Sequence, residues 1–155
     1  MNIKQTNDLE VITRLNKHVQ DLHAKLYPET FNAFEFEALK SAFSEMLKTG
    51  HHEIYLVENN REPEGFVWIE IKSKPANAFK KAEKTAYVHQ IVVAGEKQNS
   101  GYGSALMEKV EKVARDHNVQ TIELDYWSNN TMAKAFYKKL GFELRREYVQ
   151  KKLDD

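Results

Sequence analysis

Gln98 to Gly103, in the order QNSGYG, combine residue types and a spacing suited to holding an anion. They follow a β-branched apolar run and open a segment of helical periodicity. Successive backbone N–H groups and a helix dipole of about +0.5 charge converge at such a place. Side chains at Gly101 and Gly103 would obstruct that approach. The string is not a Walker loop, because GxxxxGK[ST] is missing, nor a dinucleotide fingerprint, because GxGxxG and its downstream acidic partner are missing. What is left is a phosphate site outside the ordinary nucleotide motifs, or a plain two-glycine turn before a helix.

A second set of candidates lies in NTMAKAFYKKLGF: Asn130, Ala133, Phe136, Tyr137, Gly141 and Phe142. On a helix, Asn130, Ala133 and Tyr137 fall three and four residues apart and share a face. Read alone, Tyr137 is an amphipathic core residue with a wet hydroxyl. Read together, the two strings resemble the GNAT superfamily of acetyl-CoA-dependent N-acetyltransferases. Its central signature, [QR]xxGx[GA] between a strand and a helix, is met by Gln98, Gly101 and Gly103. Its second, NxxAxxFYxxxGF, is met in full. The resemblance covers Tyr87 to Tyr148, while the first 70 residues agree only in the order of strand, two helices and hairpin. Many members carry Pro where this chain has Gly95, and Arg where it has Gln98. Gln is an accepted variant, and loss of the Arg charge leaves a diphosphate to backbone amides and Lys97.

The resemblance implies an α/β (α+β type) fold in one domain over residues 1–155, with a mixed, mostly antiparallel sheet of about six or seven strands and about four helices. It implies acetyl-CoA as co-substrate and no metal. Ile91, Val92 and Val93 would pair their backbone with the pantetheine amides. Gln98, Asn99, Ser100, Gly101, Tyr102, Gly103 and Ser104 would surround the diphosphate. Asn130, with Ala133 beside it, would hydrogen-bond the pantetheine arm or the adjacent backbone. Two neighbouring strands would splay to admit the thioester. Tyr137, protonated at neutral pH with an ordinary phenol pKa of about 10, would act as general acid toward the departing thiolate. A backbone N–H of Ile91 to Val93 would meet the oxyanion.

A base is needed too, because less than about one part in a thousand of an alkyl amine is neutral at pH 7. Candidates are His89, Asp125 and Glu123. His89 lies on the cofactor strand, on the face of Tyr87, Ile91 and Val93 by period-two counting, and its ordinary pKa of about 6.5 suits the task. Asp125 matches a position that is acidic in similar amino-terminal acetylases, and needs burial to become basic enough. Glu123 reads as a solvated edge residue, and proton removal through water stays open. The function implied is transfer of acetyl to a primary amine, either a small molecule or a protein N-terminus, by direct attack in a ternary complex. The alternative is a CoA-binding sensor or interaction module without turnover.

The elements that position these residues follow from pattern. Apolar Leu9, Ile12, Leu15, Val19, Leu22 and Leu26 predict a helix capped by Asn7 or Asp8, and Phe36, Leu39, Phe43, Met46 and Leu47 a second one ending at Gly50. Glu53 to Val57 and Phe66 to Ile71 predict an antiparallel hairpin, Ser73 to Lys84 a loop, and Thr85 to Val93 a buried strand. Thr121 to Trp127 predict another strand. Ser128 or Asn129 would cap a helix running to Leu140, and Phe142 to Lys152 offer one or two final strand segments. His18 and His23 read as surface residues, since a spacing of five does not make a helical zinc pair. His51 and His52 open a strand, with a pH or metal role only a remote alternative, and Trp68 and Trp127 pack in or beside the core or line an acceptor pocket.

Composition bounds the rest. A chain of 155 residues with 41% hydrophobic and 30% charged residues suits one ordinary domain. Without cysteine there is no disulfide framework, thiol nucleophile or acyl-enzyme on sulfur, and a reducing cytoplasm is the expected location. Lys plus Arg and Asp plus Glu both number 23, so no net positive charge favours nucleic acid. No apolar stretch approaches the roughly 18 to 20 residues of a membrane span, and the N-terminus lacks a signal-peptide core. Homodimers are common among similar proteins, though nothing in this sequence fixes the oligomeric state.

Overall fold

The computed structural model describes residues 1–154, apart from the side chain of Glu96. They fall into two compact units, Met1–Asp125 and Tyr126–Asp155. The first unit opens with β1 (Asn2–Gln5), α1 (Leu9–Leu26) and α2 (Phe36–Leu47). Asp8 caps α1 by accepting from the Val11 N–H at 3.2 Å, and Glu35 caps α2 by accepting from the Ala38 N–H at 2.7 Å. Then follow β2 (His52–Asn59), β3 (Glu62–Lys74), β4 (Glu83–Val93), α3 (Tyr102–Asp116) and β5 (Ile122–Glu123).

The sheet order is β1-β2-β3-β4-β5. Its first three pairings are antiparallel and the last is parallel, so β4 needs a crossover to reach β5, which α3 supplies. Asn60 and Arg61, at φ 50 and 69, form the tight link between β2 and β3, where two left-handed residues match the strand twist. One sheet face presents Ile54, Leu56, Phe66, Trp68 and Val92 to Ile12 and Leu15 of α1 and Phe43 of α2. The other packs Ala86 against Ala114 of α3 and Val119.

Two β-bulges interrupt the ladders. On β3, Val57 pairs with Gly65 but Glu58 with Pro63, which leaves Glu64 as the extra residue. On β4, Trp68 pairs with Gln90 but Ile69 with Val88, which leaves His89 as the extra one. Between them β3 and β4 run so close at Gly65 that a Cβ would collide with the Val92 carbonyl oxygen.

The second unit contains α4 (Thr131–Lys139), capped by Asn130 rather than by Ser128 or Asn129, and Gly141 follows it at φ 89. Residues 142–154 have no regular structure, so the strand segments expected over Phe142 to Lys152 are absent among the described residues. Leu144, Tyr148, Val149 and Leu153 along that stretch are exposed. The expected strand over Thr121 to Trp127 shrinks to Ile122–Glu123, and the described residues form five strands and four α-helices instead of six or seven strands. The Ser73 to Lys84 loop narrows to residues 75–82, because β3 and β4 pair as far as Lys74 and Glu83. No helix among the described residues is long and apolar enough to cross a membrane.

Candidate active site

β4 parts from β5 after two residue pairs, Ala86 with Ile122 and Tyr87 with Glu123. From Val88 to Val93 no strand among the described residues pairs with β4 on that side. Peptide groups of this stretch that point away from β3 can therefore pair with an extended ligand, and Ile91, Val92 and Val93 lie on it. A 3-10 turn over Gly95–Lys97 then leads past Gln98 into α3. Asn99 and Gly101 adopt φ of 66 and 86, a left-handed geometry that turns neighbouring N–H groups toward one point. Gly101 is the N-cap of α3 and offers no side-chain acceptor, so the first amides, Tyr102, Gly103 and Ser104, stay uncapped. A Cβ on Gly101 would meet nothing within 4 Å; glycine suits the position because of its φ. Lys97 is less available than its sequence position suggests, since its Nζ lies 3.5 Å from Oε1 of Glu64, the buried residue of the β3 bulge.

The bulge on β4 decides where His89 points. As the extra residue it escapes the period-two count, and its ring lies stacked on Trp68 at 4.4 Å and edge-on to Tyr87 at 4.8 Å. Ile91 and Val93, opposite Val67 and Gly65, belong to the other face, which corrects the grouping expected from counting. Glu70 on β3 and His52 on β2 sit opposite one another and complete the group. His89 Nε2 lies 3.1 Å from Glu70 Oε1, and His52 Nε2 lies 3.6 Å from the same oxygen. The Trp68 indole N–H donates to His52 Nδ1 at 2.9 Å. Burial lowers the proton affinity of His89 below its ordinary value of 6.5, and the hydrogen bond and charge of Glu70 oppose that.

Sequence reasoning finds His89 but misses Glu70 and the part played by His52. A count outward from the Asn60–Arg61 turn sets His52 opposite Ile69, on the wrong face; the Glu64 bulge moves it opposite Glu70. The available signal is Glu70 itself, an acid inside the apolar run FVWIEI. Ligand atoms of His52, Glu70 and His89 lie within 4.8 Å of one another, a span one divalent ion could bridge. The indole opposes that use. Trp68 can only donate, so it needs the Nδ1 lone pair of His52 and puts that ring's proton on Nε2, the atom a metal would require.

The other two base candidates fare differently. Asp125 is exposed and accepts the Tyr87 hydroxyl at 2.5 Å, so the burial its role would need is missing. Glu123, expected at a solvated edge, is half-buried, and its Oε1 is buried without a hydrogen-bond partner. In the second unit, Asn130 Oδ1 accepts from the Ala133 N–H at 3.1 Å. Tyr137 is 7% exposed, stacked on Tyr126 at 5.9 Å and edge-on to Phe136 and Phe142. Burial pushes its phenol well above the ordinary value.

Comparisons with known proteins add to this geometry. Residues 16–142 match the family described as "Acetyltransferase (GNAT) family". The chain is 30% identical over 128 residues to the uncharacterized N-acetyltransferase MJ1207 of Methanocaldococcus jannaschii, covering 79% of this chain and 54% of that one. In fold it is similar to a tetramutant of the BH1408 protein from Bacillus halodurans, with a TM-score of 0.92, 24% identity and coverage of 99% and 100%. A predicted acetyltransferase from Clostridium acetobutylicum, solved with acetyl-CoA, matches with a TM-score of 0.69, 17% identity and coverage of 97% and 95%. The chain spans 33% and 54% of the lengths of two curated relatives that it matches.

Proposed function

We infer, because this chain belongs to the acetyltransferase (GNAT) family, that it moves the acetyl group of acetyl-CoA onto a primary amine by direct attack in a ternary complex. One observation carries the reading. Along a single stretch of chain, a strand edge that stops pairing at Tyr87 is followed by a loop whose left-handed Asn99 and Gly101 leave α3 uncapped. The edge suits the amides of pantetheine and the loop suits its diphosphate. With Lys97 beside Glu64 and the Ser100 N–H donating to the Lys97 carbonyl at 3.3 Å, the other backbone N–H groups from Asn99 to Ser104 take most of the anionic charge.

Bound in this way, acetyl-CoA supplies an activated acyl carbon. His89 accepts a proton from the ammonium of the acceptor, and the freed nitrogen attacks. The C–N bond forms, the nitrogen gives up its second proton to solvent, the C–S bond breaks, and the thiolate takes the proton of Tyr137, which solvent restores. Ammonium plus acetyl-CoA thus becomes amide, CoA thiol and one proton. Burial keeps Tyr137 protonated until the thiolate develops. Asp125 ranks behind His89 as base because it is exposed and engaged by Tyr87. The acceptor is a small-molecule amine or a peptide amino terminus. The same reading takes residues 1–155 as one cytoplasmic acetyltransferase domain that does not use nucleic acid or membrane as a partner.

Acetyl-CoA is expected to raise the melting temperature, and a panel of amines to release CoA thiol. Tyr137→Phe should lower kcat by about 10²-fold. An undiminished rate in that variant removes Tyr137 from the mechanism. Thermal stabilisation without CoA release from any amine assigns a sensor instead, and failure to bind CoA in any acylated form overturns the reading.

A further inference from the structure

We propose that Glu70, held in place by His52 and Trp68, is the positioning residue that fixes the tautomer of His89 and makes Nδ1 of that ring the basic atom. The proposal rests on the reading of His89 as base. An ionised carboxylate only accepts hydrogen bonds, so at 3.1 Å from Glu70 Oε1 the Nε2 of His89 must carry hydrogen. A neutral imidazole has one ring proton, and the lone pair is therefore left on Nδ1. Stacking on Trp68 at 4.4 Å and 19° fixes the plane of the ring, so that Nδ1 has a defined direction.

His52 and Trp68 are more than bystanders. The indole N–H of Trp68 takes the Nδ1 lone pair of His52, and the remaining proton, on Nε2, faces Glu70 Oε1 at 3.6 Å. The indole N–H occupies Nδ1 of His52, so that ring presents Nε2–H to Glu70 beside His89. Glu70 is thus flanked by two ring N–H groups on one oxygen, with side chains 12%, 18% and 24% exposed for His52, Glu70 and His89. When Nδ1 of His89 takes a proton from the acceptor nitrogen, that N–H bond breaks and an Nδ1–H bond forms. Nε2–H stays on Glu70, and the contact becomes a charge-assisted one. No proton passes to the carboxylate. The charged or titratable groups that face His89 are Glu70 and Lys72 from β3, His52 from β2 and Tyr87 on its own strand.

The test compares wild type, Glu70→Gln and His89→Asn at saturating acetyl-CoA and amine across pH, with circular dichroism to check folding. Glu70→Gln is expected to lower kcat by about 10²-fold while leaving the KM for acetyl-CoA unchanged. It should also move the acid limb of the kcat profile to lower pH, because the negative charge that favours the imidazolium is gone. A purely structural Glu70 would not move that limb. Wild-type kcat and an unmoved limb in Glu70→Gln, with His89→Asn inactive, overturn the positioning role and leave the acetyltransferase reading intact. Full activity of His89→Asn removes the base assignment itself. Should Glu70→Gln fail to fold, the ring nitrogens of His89 in the wild-type protein decide. Nitrogen-15 NMR showing an Nε2–H tautomer supports the proposal, and an Nδ1–H tautomer overturns it. Stoichiometric zinc binding that displaces the Nε2 proton of His52 would overturn it as well.

Discussion

Along the sheet face covered by α1 and α2, strands β2, β3 and β4 carry Ile54, Leu56, Phe66 and Val92 at one end and His52, Glu70 and His89 at the other. The strands are shared, so the difference comes from what lies above them. Ile12, Leu15 and Phe43 seal the apolar end, whereas the polar groups satisfy one another. Trp68 stands at the boundary, edge-on to Phe43 at 5.7 Å and stacked on His89. Beside it Asn16 of α1 donates to Gln90 at 2.7 Å. The contrast teaches a division of labour. Close packing holds the sheet rigid at one end, and at the other His89 can take a proton while Glu70 and His52 keep their places, without disturbing a core.

Breaking the apolar end should have the largest effect on stability. Phe66 is fully buried, and Phe66→Ala is expected to cost about 3–5 kcal/mol in urea unfolding. The folded fraction should still release CoA thiol at a normal rate per molecule. If this change costs no more stability than Glu70→Gln, the two ends are not divided as described.

The boundary should give an intermediate effect. Asn16→Ala removes the donor to Gln90 next to the β4 bulge and should cost about 1–3 kcal/mol, read in the same unfolding experiment. Because Gln90 follows His89 directly, turnover should fall as well, more than it does in Phe66→Ala.

Acid should reveal the smallest effect, and it sharpens the polar end. Burial lowers the proton affinity of His89, and also of His23, below the ordinary value of 6.5. The unfolded chain then binds more protons than the folded one. Their contribution is fully present above pH 6.5 and is lost as pH falls through the lower folded values. The urea midpoint should drop between pH 7.5 and pH 5, and His89→Asn should remove part of that drop.

Features set by local pattern were legible in the sequence. α1 and α2 follow from apolar residues three and four apart, and the Gln98–Gly103 loop and the Tyr137 string are contiguous motifs whose order needs no tertiary information. The bulges were not legible, because they arise where two strands meet. Nothing in YVHQIV marks His89 as the residue to be expelled from the ladder. His52 and Glu70 stayed hidden for the same reason, each being innocuous until a one-residue slip sets them face to face. Phe142 to Lys152 misled in the opposite sense. Its alternation suits a strand, but a strand also needs a neighbour to pair with, and local propensity does not provide one.

β4 is paired on both sides only as far as Tyr87, so its remaining length is an adhesive seam along the sheet. Any stretched-out polypeptide presents the complementary row of amides, and purified material kept without its thioester is the form most inclined to cling to such chains. On the proposed reading, storage with a CoA compound fills the seam and protects the preparation from its own stickiness.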